Sequence, residues 1–220
     1  MNSVPRGPDD LVRALTAAGV GDERLLAAVR ATPRTGFVPA DQTAAAYRDV
    51  PVAIGQGQVT TQPSLSALMI EGLALDGCEH VLEVGTGLGF QTALLARLAA
   101  DVVSIELRPD TARRARVNLA RQGVRNVELR IGDGSGGVPD LAPYDAVLVS
   151  AAFPEVPAPL VAQLRPGGRL VQPIGPGGHE QVVCFERTAA GLAQVRVLAS
   201  ACFVRLQGRY GFPPDAAGLR

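Results

Sequence analysis

A glycine-rich turn between a strand pattern and a helix pattern constrains the fold of this chain more than any other feature. The stretch from His80 to Glu106 reads HVLEVGTGLGFQTALLARLAADVVSIE. An apolar run is followed by three alternating glycines, by apolar residues at helical spacing, and by a second apolar run that ends in an acid. This order predicts a strand, a turn, a helix and a parallel second strand.

The alternation of strands and helices continues along the chain. Strand-length runs are HVLEVG, DVVSIE, VELRIG, YDAVLVSA and GRLVQPIG, and helical patterns over residues 91–99 and 110–122 separate the first three. After Gly175 the runs EQVVCFERT, GLAQVRVLA and SACFVRLQG follow one another with only short turns. We therefore predict a mainly parallel sheet with three antiparallel strands at one edge.

Ahead of this region the chain reads as helices joined by one long irregular segment. Apolar spacing predicts a helical hairpin over residues 9–31 and a further helix over residues 64–75. Between them lies TGFVPADQTAAAYRDVPVAIGQGQVTTQP, which is punctuated by glycine and proline. Long irregular segments inside compact domains are usually functional, so we expect this one to lie near a site.

Composition limits the kinds of partner. Basic and acidic residues balance at 21 each without a basic run, so we expect no nucleic-acid partner. The start has no apolar signal region, and no apolar run approaches the roughly 18 residues of a membrane span. We expect a cytoplasmic protein without a membrane partner. Cys78, Cys184 and Cys202 are widely spaced, so we expect three small buried side chains and no metal site.

The glycine turn has the form of a ligand loop. Gly85, Gly87 and Gly89 permit a tight turn and close approach of a ligand to the backbone. The G-x-G-x-G spacing is shorter than that of dinucleotide enzymes, and by itself it also fits a purely structural turn. Glu106 lies about twenty residues after Gly85, at a strand end where a carboxylate can accept both hydrogen bonds of a ribose diol. Solvation of an exposed strand end is the alternative for Glu106.

Two further acids belong to the same pattern. Glu83 lies inside an otherwise apolar strand, so it needs amide or hydroxyl partners. Asp133, in RIGDGSGG, follows the third strand and could accept a hydrogen bond from the amine of adenine, although an Asx turn gives the same pattern. Ligands of open α/β sheets bind beyond the carboxyl ends of the strands. These residues together indicate a nucleoside pocket.

Nearly the whole chain, from about residue 9 to residue 212, resembles the S-adenosylmethionine-dependent protein-L-isoaspartate O-methyltransferases. The resemblance is carried by VLEVGTGLGFQTALLARLA, VSIELRPDTARRARVNLARQGVRNVELRIGDGSGG, APYDAVLVSAAFPEVPAPLVAQLRPGGRLVQPIG and FVRLQGRYGF, and by RTGFVPADQTAAAYRDVPVAIGQGQVTTQPSLSALMIEGL ahead of them. It implies an α/β fold of the Rossmann-like class I methyltransferase type. We predict one domain over residues 1–220, with N-terminal helices and a substrate loop (9–76), a cofactor-binding core (77–175) and C-terminal antiparallel strands (176–213).

The resemblance also implies S-adenosyl-L-methionine as the cofactor and assigns residues to it. The methionine end would be lined by Gly85, Thr86, Gly87, Leu88 and Gly89. Glu106 would hold the ribose, and Asp133 with Gly134 would frame the adenine. The closing segment LQGRYGF, with Gln207 in it, would cover the site. Arg205 and Arg209 flank this segment and could attract a substrate carboxylate, although surface solvation is the simpler explanation.

The substrate loop departs from the family pattern. The family reads like GQTISAPHM with the serine hydroxyl near the substrate carboxyl, whereas this chain reads GQVTTQPSL. Thr61 takes the place of that catalytic serine and keeps a hydroxyl. The other substrate-binding positions change: Val59 replaces threonine, Thr60 isoleucine and Ser64 histidine. Valine cannot donate a hydrogen bond, so we expect a different peptide preference. Ser64, beside Pro63, is also a candidate helix cap.

The implied reaction needs no general base, because a carboxyl with a pKa near ~4 is already ionised at neutral pH. The two histidines, His80 and His179, are accordingly expected at the surface, outside the crevice. The resemblance implies methylation of isoaspartyl residues of proteins or peptides for repair. Because the loop is altered, an alternative function remains: the chain could be a relative of this family that methylates an aspartyl carboxylate of one dedicated peptide in natural-product maturation.

A third possibility is a nicotinamide-binding oxidoreductase or a silent nucleotide-binding module. The short glycine spacing and the lack of a residue suited to act as general acid or base in the crevice disfavour hydride chemistry. The sequence does not predict the oligomeric state, since it contains no coiled-coil heptad.

Overall fold

The computed structural model describes residues 7–55 and 57–213. Its helices are α1 (Pro8–Ala17), α2 (Glu23–Arg30), α3 (Pro63–Gly72), α4 (Phe90–Leu98), α5 (Pro109–Arg121) and α6 (Ala158–Gln163). Its strands are β1 (Ala53–Gly55), β2 (Gln58–Val59), β3 (His80–Val84), β4 (Asp101–Glu106), β5 (Val127–Ile131), β6 (Tyr144–Val149), β7 (Leu164–Ile174), β8 (Glu180–Thr188) and β9 (Gly191–Ala201). Short 3₁₀ helices cover Arg34–Phe37, Ala40–Ala45, Gly134–Gly136 and Pro139–Leu141.

Seven strands form one sheet in the order β5-β4-β3-β6-β7-β8-β9. The strands β3 to β7 pair in parallel, and β8 and β9 continue the sheet with antiparallel pairing. The chain places β4 and β5 on one side of β3 and then returns to place β6 on the other side. The predicted sheet, parallel with an antiparallel edge, is confirmed. Its reversal of strand order beside β3 is the place where such sheets bind ligands.

Each face of the sheet is covered by its own apolar cluster. Val81 of β3 packs into the cluster that contains Leu94 of α4, together with residues of α1, α2 and α3. Its neighbour Leu82 packs into the opposite cluster, which contains Leu160 of α6. Successive strand residues point to opposite faces, so a strand that is apolar throughout must be buried on both sides.

The sequence patterns located the helical hairpin, α3, α4 and α5, but they missed other elements. The helix α6 is too short to show a helical period, and the hairpin of β1 and β2 lies inside the irregular segment. The predicted third antiparallel strand, SACFVRLQG, is wrong. Its first two residues complete β9, and the rest runs beside the loop after β6, where Ala152 exchanges hydrogen bonds with Val204 and Leu206, both at 2.8 Å.

The cysteines and histidines only partly match the expectation. Cys184 is buried, but Cys78 and Cys202 are exposed, so the expectation of three buried cysteines is wrong. His179 is exposed as expected, whereas the side chain of His80 is only 24% exposed. None of the helices that the structure describes has the length and apolar character needed to cross a bilayer.

A fully buried carboxylate lies inside the sheet, where hydroxyl and amide donors satisfy it. Oε2 of Glu83 accepts hydrogen bonds from the hydroxyls of Thr92, at 2.5 Å, and Ser104, at 2.6 Å. Oε1 accepts from the amide of Gln91 at 3.2 Å. The hydroxyl of Ser104 lies 2.6 Å from that of Thr86 in the glycine turn. The network therefore gives Glu83 the partners that its position requires, and it ties the turn to the sheet.

Burial raises the pKa of Glu83 to about 7. Loss of solvation is the largest cause, and it outweighs the hydrogen bonds from Ser104, Thr92 and Gln91, which favour the ionised form. The negative charge of Glu106 adds to the rise.

This raised pKa predicts a pH-dependent stability. Between pH 4.5, the ordinary pKa, and about 7, folded Glu83 keeps a proton that the unfolded chain releases. The free energy of unfolding therefore falls as the pH rises through this window. Urea denaturation measures this free energy. Between these two pH values, the free energy of unfolding of the wild type should fall by on the order of 3 kcal/mol relative to that of Glu83→Gln, and above pH 7 the difference should stay constant.

The control is Glu155→Gln, which removes a carboxyl group from an exposed residue and should not change the pH dependence of stability in this way. A stability difference between the wild type and Glu83→Gln that stays constant from pH 4.5 to pH 8 would contradict the raised pKa.

Candidate active site

A cavity of about 740 Å³ opens at the carboxyl ends of the parallel strands. This volume lies within the range of roughly 300–1,000 Å³ that is usual for ligand sites. The ends of β3 and β4, Ser150 and Ala151 directly after β6, and Gly134 beyond β5 form its floor. Residues 57–61 of the irregular segment and residues 203–207 near the C-terminus form its other walls. The cavity therefore gathers parts of the chain that are far apart in sequence.

Most of the predicted site residues line this cavity. Those that do are Val59, Thr60, Thr61, Gly85, Thr86, Gly87, Leu88, Glu106, Gly134 and Gln207. Three predicted residues, Ser64, Gly89 and Asp133, lie outside its lining.

Gly87 is the glycine of the turn that a ligand can approach. Its φ is +56°, and a Cβ built there would meet no heavy atom within 4 Å. Gly89, with φ of +94°, instead packs against α5, where a Cβ would lie 3.2 Å from Cγ of Leu119. The helix α4 begins directly after this glycine, and its first amides have no acceptor within the helix. The turn thus presents backbone donors and an open approach to an anionic or polar group.

Glu106 is joined to the glycine turn. It is the last residue of β4 and is only 8% exposed. Its Oε2 accepts a hydrogen bond from the amide of Gly87 at 2.9 Å, and its Oε1 accepts one from the amide of Arg108 at 3.0 Å. Each oxygen keeps a further lone pair, so the fixed carboxylate can still accept two hydrogen bonds from a diol.

Asp133 faces the C-terminal segment rather than the cavity, which differs from its predicted position. Oδ1 accepts from the amide and the hydroxyl of Ser135, at 2.9 and 2.6 Å, and Oδ2 accepts from the amide of Arg209 at 2.7 Å. Burial alone would raise the pKa of Asp133, but these hydrogen bonds outweigh it and lower the pKa. The Asx turn that the sequence left open is present, and Gly134 is the residue of this pair that lines the cavity.

The same contacts hold the C-terminal segment over the site. The amide of Tyr210 donates to the hydroxyl of Ser135 at 3.0 Å. Gly208 lies so close to Asp133 that a Cβ would be 1.9 Å from its Oδ1. Gln207 is thereby kept at the cavity wall, where the resemblance placed it.

Arg34, which the sequence reading missed, anchors the irregular segment. The residue is 1% exposed, and its guanidinium donates to three backbone carbonyls of residues 46–50 at 3.0 to 3.3 Å. It also donates to Oγ1 of Thr60 at 3.1 Å. Burial lowers the pKa of Arg34 to about 10, and the charge of Asp49 opposes this only in part. Nothing in the surrounding sequence, ATPRTGF, predicts that this arginine is buried.

The two adjacent threonines have different environments. The hydroxyl of Thr60 accepts from Arg34 and from the amide of Val52, at 3.0 Å, so it serves the loop itself. The hydroxyl of Thr61 forms no hydrogen bond with any other residue in the described part of the chain, and Thr61 lines the cavity. Val59 is 51% exposed at the rim. Thr61 is therefore the threonine that can bind a ligand.

Ser64 is buried outside the cavity and does not cap α3. Its amide donates to Oδ1 of Asp49 at 2.8 Å, and its hydroxyl accepts from Nε2 of Gln62 at 3.1 Å. Asp49 therefore satisfies the helix start, and the predicted cap is wrong. Ser66, two residues further along α3, lines the cavity instead.

The charged residues in the described lining are Glu106 and three arginines, Arg34, Arg108 and Arg205. This excess of positive charge favours an anionic ligand beside the site held by Glu106. Ser150, which follows β6 and accepts from Gln91 at 2.8 Å, also lines the cavity. Its place at a strand end is a signal by which the sequence could have found it.

Comparison with known proteins identifies the family to which this chain is similar. The model of the family described as Protein-L-isoaspartate(D-aspartate) O-methyltransferase (PCMT) matches residues 6–211. A protein-L-isoaspartate O-methyltransferase of Methanoculleus marisnigri is 50% identical over 203 residues, which are 92% of this chain and 92% of the relative. One from Anaeromyxobacter dehalogenans is 50% identical over 199 residues, which are 90% of this chain and 95% of the relative.

Solved structures agree with the fold. A protein-L-isoaspartate O-methyltransferase matches with a TM-score of 0.80 and 29% identity, covering 93% of this chain and 67% of that one. A Plasmodium falciparum structure, titled as a putative member in complex with S-adenosyl-L-homocysteine, matches with a TM-score of 0.78 and 21% identity, covering 92% and 99%. The fold is thus that of a Rossmann-like class I methyltransferase, and this chain belongs to the protein-L-isoaspartate(D-aspartate) O-methyltransferase family.

Proposed function

We propose that this chain transfers a methyl group from S-adenosyl-L-methionine to the free carboxylate of L-isoaspartyl residues in proteins or peptides. The observation that carries the proposal is one cavity that contains both the glycine turn, which is hydrogen-bonded to Glu106, and Thr61, whose hydroxyl has no partner among the described residues. Family membership supports the same reaction, because the relatives named above carry the isoaspartate name.

The residues present fit the cofactor. Glu106 would accept the ribose hydroxyls, and the open backbone at Gly87 would receive the methionine end. Gly134 would border the base, and its lack of a side chain lets it pack closely on Val84, since a Cβ there would lie 2.6 Å from Cγ1 of Val84. When bound, S-adenosyl-L-methionine supplies an electrophilic methyl group on a sulfonium.

The chain itself then has to align the acceptor and exclude water. Thr61 would donate its hydroxyl hydrogen to one oxygen of the acceptor carboxylate and so orient the other oxygen. A backbone-type carboxyl, with a pKa near ~3.5, is ionised at neutral pH, so no side chain has to remove a proton. Positioning of this kind can contribute on the order of 7 to 11 kcal/mol. The segment 203–212 would keep water out.

Methylation prepares the damaged linkage for repair. The methyl ester carries a methoxy leaving group, and the neighbouring backbone nitrogen attacks the ester carbonyl. Methanol leaves with the proton of that nitrogen, and a succinimide forms. Water then opens the ring, partly to ordinary aspartate.

The alternative, maturation of one dedicated peptide, rests on the altered loop at Val59, Thr60 and Thr61. The relatives favour the isoaspartyl reaction over it, and the hydroxyl of Thr60 is used by Arg34 rather than offered to a substrate. The cytoplasmic location and the absence of a nucleic-acid partner stay predictions.

The test of the function is a radiolabelled methyl-transfer assay with two peptides that differ only in an isoaspartyl or an aspartyl linkage. We expect methylation of the isoaspartyl peptide. Thr61→Ala should lower kcat/KM about 10- to 100-fold through loss of a hydrogen bond to a charged group, and Thr61→Ser should keep most of the activity. Methylation of the aspartyl peptide alone would favour the alternative, and no methylation of either would refute the proposal.

The contact between Arg34 and Thr60 predicts a second effect on the same assay. Thr60→Val keeps the shape of the side chain but leaves a guanidinium N–H and the amide of Val52 without an acceptor. Leaving such donors unpaired costs about 1–3 kcal/mol, so the loop should shift and kcat/KM for the peptide should fall about 5- to 100-fold. Cofactor affinity, measured by calorimetry with S-adenosylhomocysteine, should stay within about twofold.

The matched control for this experiment is Thr43→Val, an exposed threonine of the same segment. Equal kinetic constants for Thr60→Val and Thr43→Val would show that the contact does not position the loop.

A further inference from the structure

Arg205 is an exposed cation at the cavity wall, and its guanidinium lies over an aromatic ring. Its guanidinium carbon lies 5.0 Å from the ring centre of Phe212, and that ring packs edge-on against Phe153 at 5.1 Å. The backbone on both sides of Arg205 is hydrogen-bonded to Ala152, which directly follows the cavity-lining residues Ser150 and Ala151 in the loop after β6. A guanidinium restrained in this way loses less conformational freedom on binding than a free surface arginine.

Gly177 makes room for this side chain at the cavity. A Cβ at Gly177 would lie 2.8 Å from Nε and 2.9 Å from Cγ of Arg205, so the arginine lies directly across the glycine. Gly177 and Arg205 both line the cavity, together with Phe203 and the substrate residue Thr61. The positive charge of Arg205 therefore borders the space that the acceptor must enter.

No acid in the described part of the chain forms an ion pair with Arg205. Among the described residues that line the cavity, the carboxylate is that of Glu106, and it accepts hydrogen bonds from the amides of Gly87 and Arg108. A guanidinium keeps its charge at all physiological pH values and offers a planar set of donors that matches a carboxylate.

We propose that Arg205 is a specificity-determining residue that binds a second carboxylate of the substrate, on an acidic side chain next to the isoaspartyl residue. The inference rests on the proposed function and adds a preference of this chain for acid-flanked isoaspartyl sites.

The chemistry of the reaction indicates the flanking carboxylate rather than the acceptor as the partner. Methyl transfer removes the negative charge of the acceptor. A guanidinium bound to the acceptor would stabilise the ground state more than the transition state, which would slow the step. A flanking carboxylate keeps its charge throughout, so its contact with Arg205 lowers KM without opposing the reaction.

Arg209 provides a matched control. It is exposed in the same segment and its guanidinium lies over Tyr210, 5.6 Å from the ring centre. Unlike Arg205, it does not line the cavity. Its contact with Asp133 uses the backbone amide, which a side-chain substitution retains.

The experiment compares isoaspartyl peptides with blocked ends that carry Asp, or Asn in its place, directly before or directly after the isoaspartyl residue. For at least one of the two positions, the wild type should show a kcat/KM about 5- to 20-fold higher with Asp, mainly through KM. Arg205→Gln should abolish this preference, Arg209→Gln should retain it, and 0.5 M salt should reduce it in the wild type.

The proposal is overturned if the wild type methylates all these peptides equally well. It is also overturned if Arg205→Gln keeps the preference, or if it lowers kcat to the same extent for every peptide. Failure of the wild type to methylate any isoaspartyl peptide is a different result, which would remove the proposed function itself.

Discussion

The hydrogen bond from the amide of Gly87 to the carboxylate of Glu106, at 2.9 Å, joins the two halves of the proposed cofactor site. It holds the glycine turn after β3 against the end of β4, so that a backbone open to ligand and a fixed acceptor share one wall. Beneath it, Glu83 is bound by hydroxyls of β4 and α4, and this network reaches the turn through Thr86. Two acids therefore hold the turn in place: Glu106 binds it directly, and Glu83 binds it through the hydroxyls of Ser104 and Thr86.

Much of the fold followed from periodicity, because a strand buried on both faces must be apolar throughout and a covering helix must repeat its apolar residues. The central strands β3, β4 and β6, which are almost entirely buried, and the helices α1 to α5 gave these patterns. The segment after β9 did not follow its pattern. Val204 and Leu206 alternate with the polar residues Arg205 and Gln207 as in an edge strand, but the segment does not join the sheet. It pairs with Ala152 in the loop after β6, and Leu206 accepts a hydrogen bond from the amide of Phe212.

The sequence predicted the site residues that lie at the ends of strands, but it predicted few of those that lie in loops. Glu106 and the glycine turn follow from the rule that ligands bind at the carboxyl ends of strands. Arg34 was missed because the burial of its charge depends on backbone carbonyls that only the folded loop brings together. Asp49 was missed because its contact with the amide of Ser64 also forms only in the folded loop. Asp133 follows its strand end as predicted, but it faces the C-terminal segment instead of the cavity, because it accepts a hydrogen bond from the amide of Arg209, which is distant in sequence.

The most direct measurement of the central claim is a crystal structure of this chain with S-adenosylhomocysteine. The ribose hydroxyls should lie within hydrogen-bonding distance of the Glu106 carboxylate, with the base beside Gly134 and the sulfur on the side of the cavity that holds Thr61. A nucleoside bound with its ribose out of reach of Glu106, or outside the cavity at the strand ends, would contradict it.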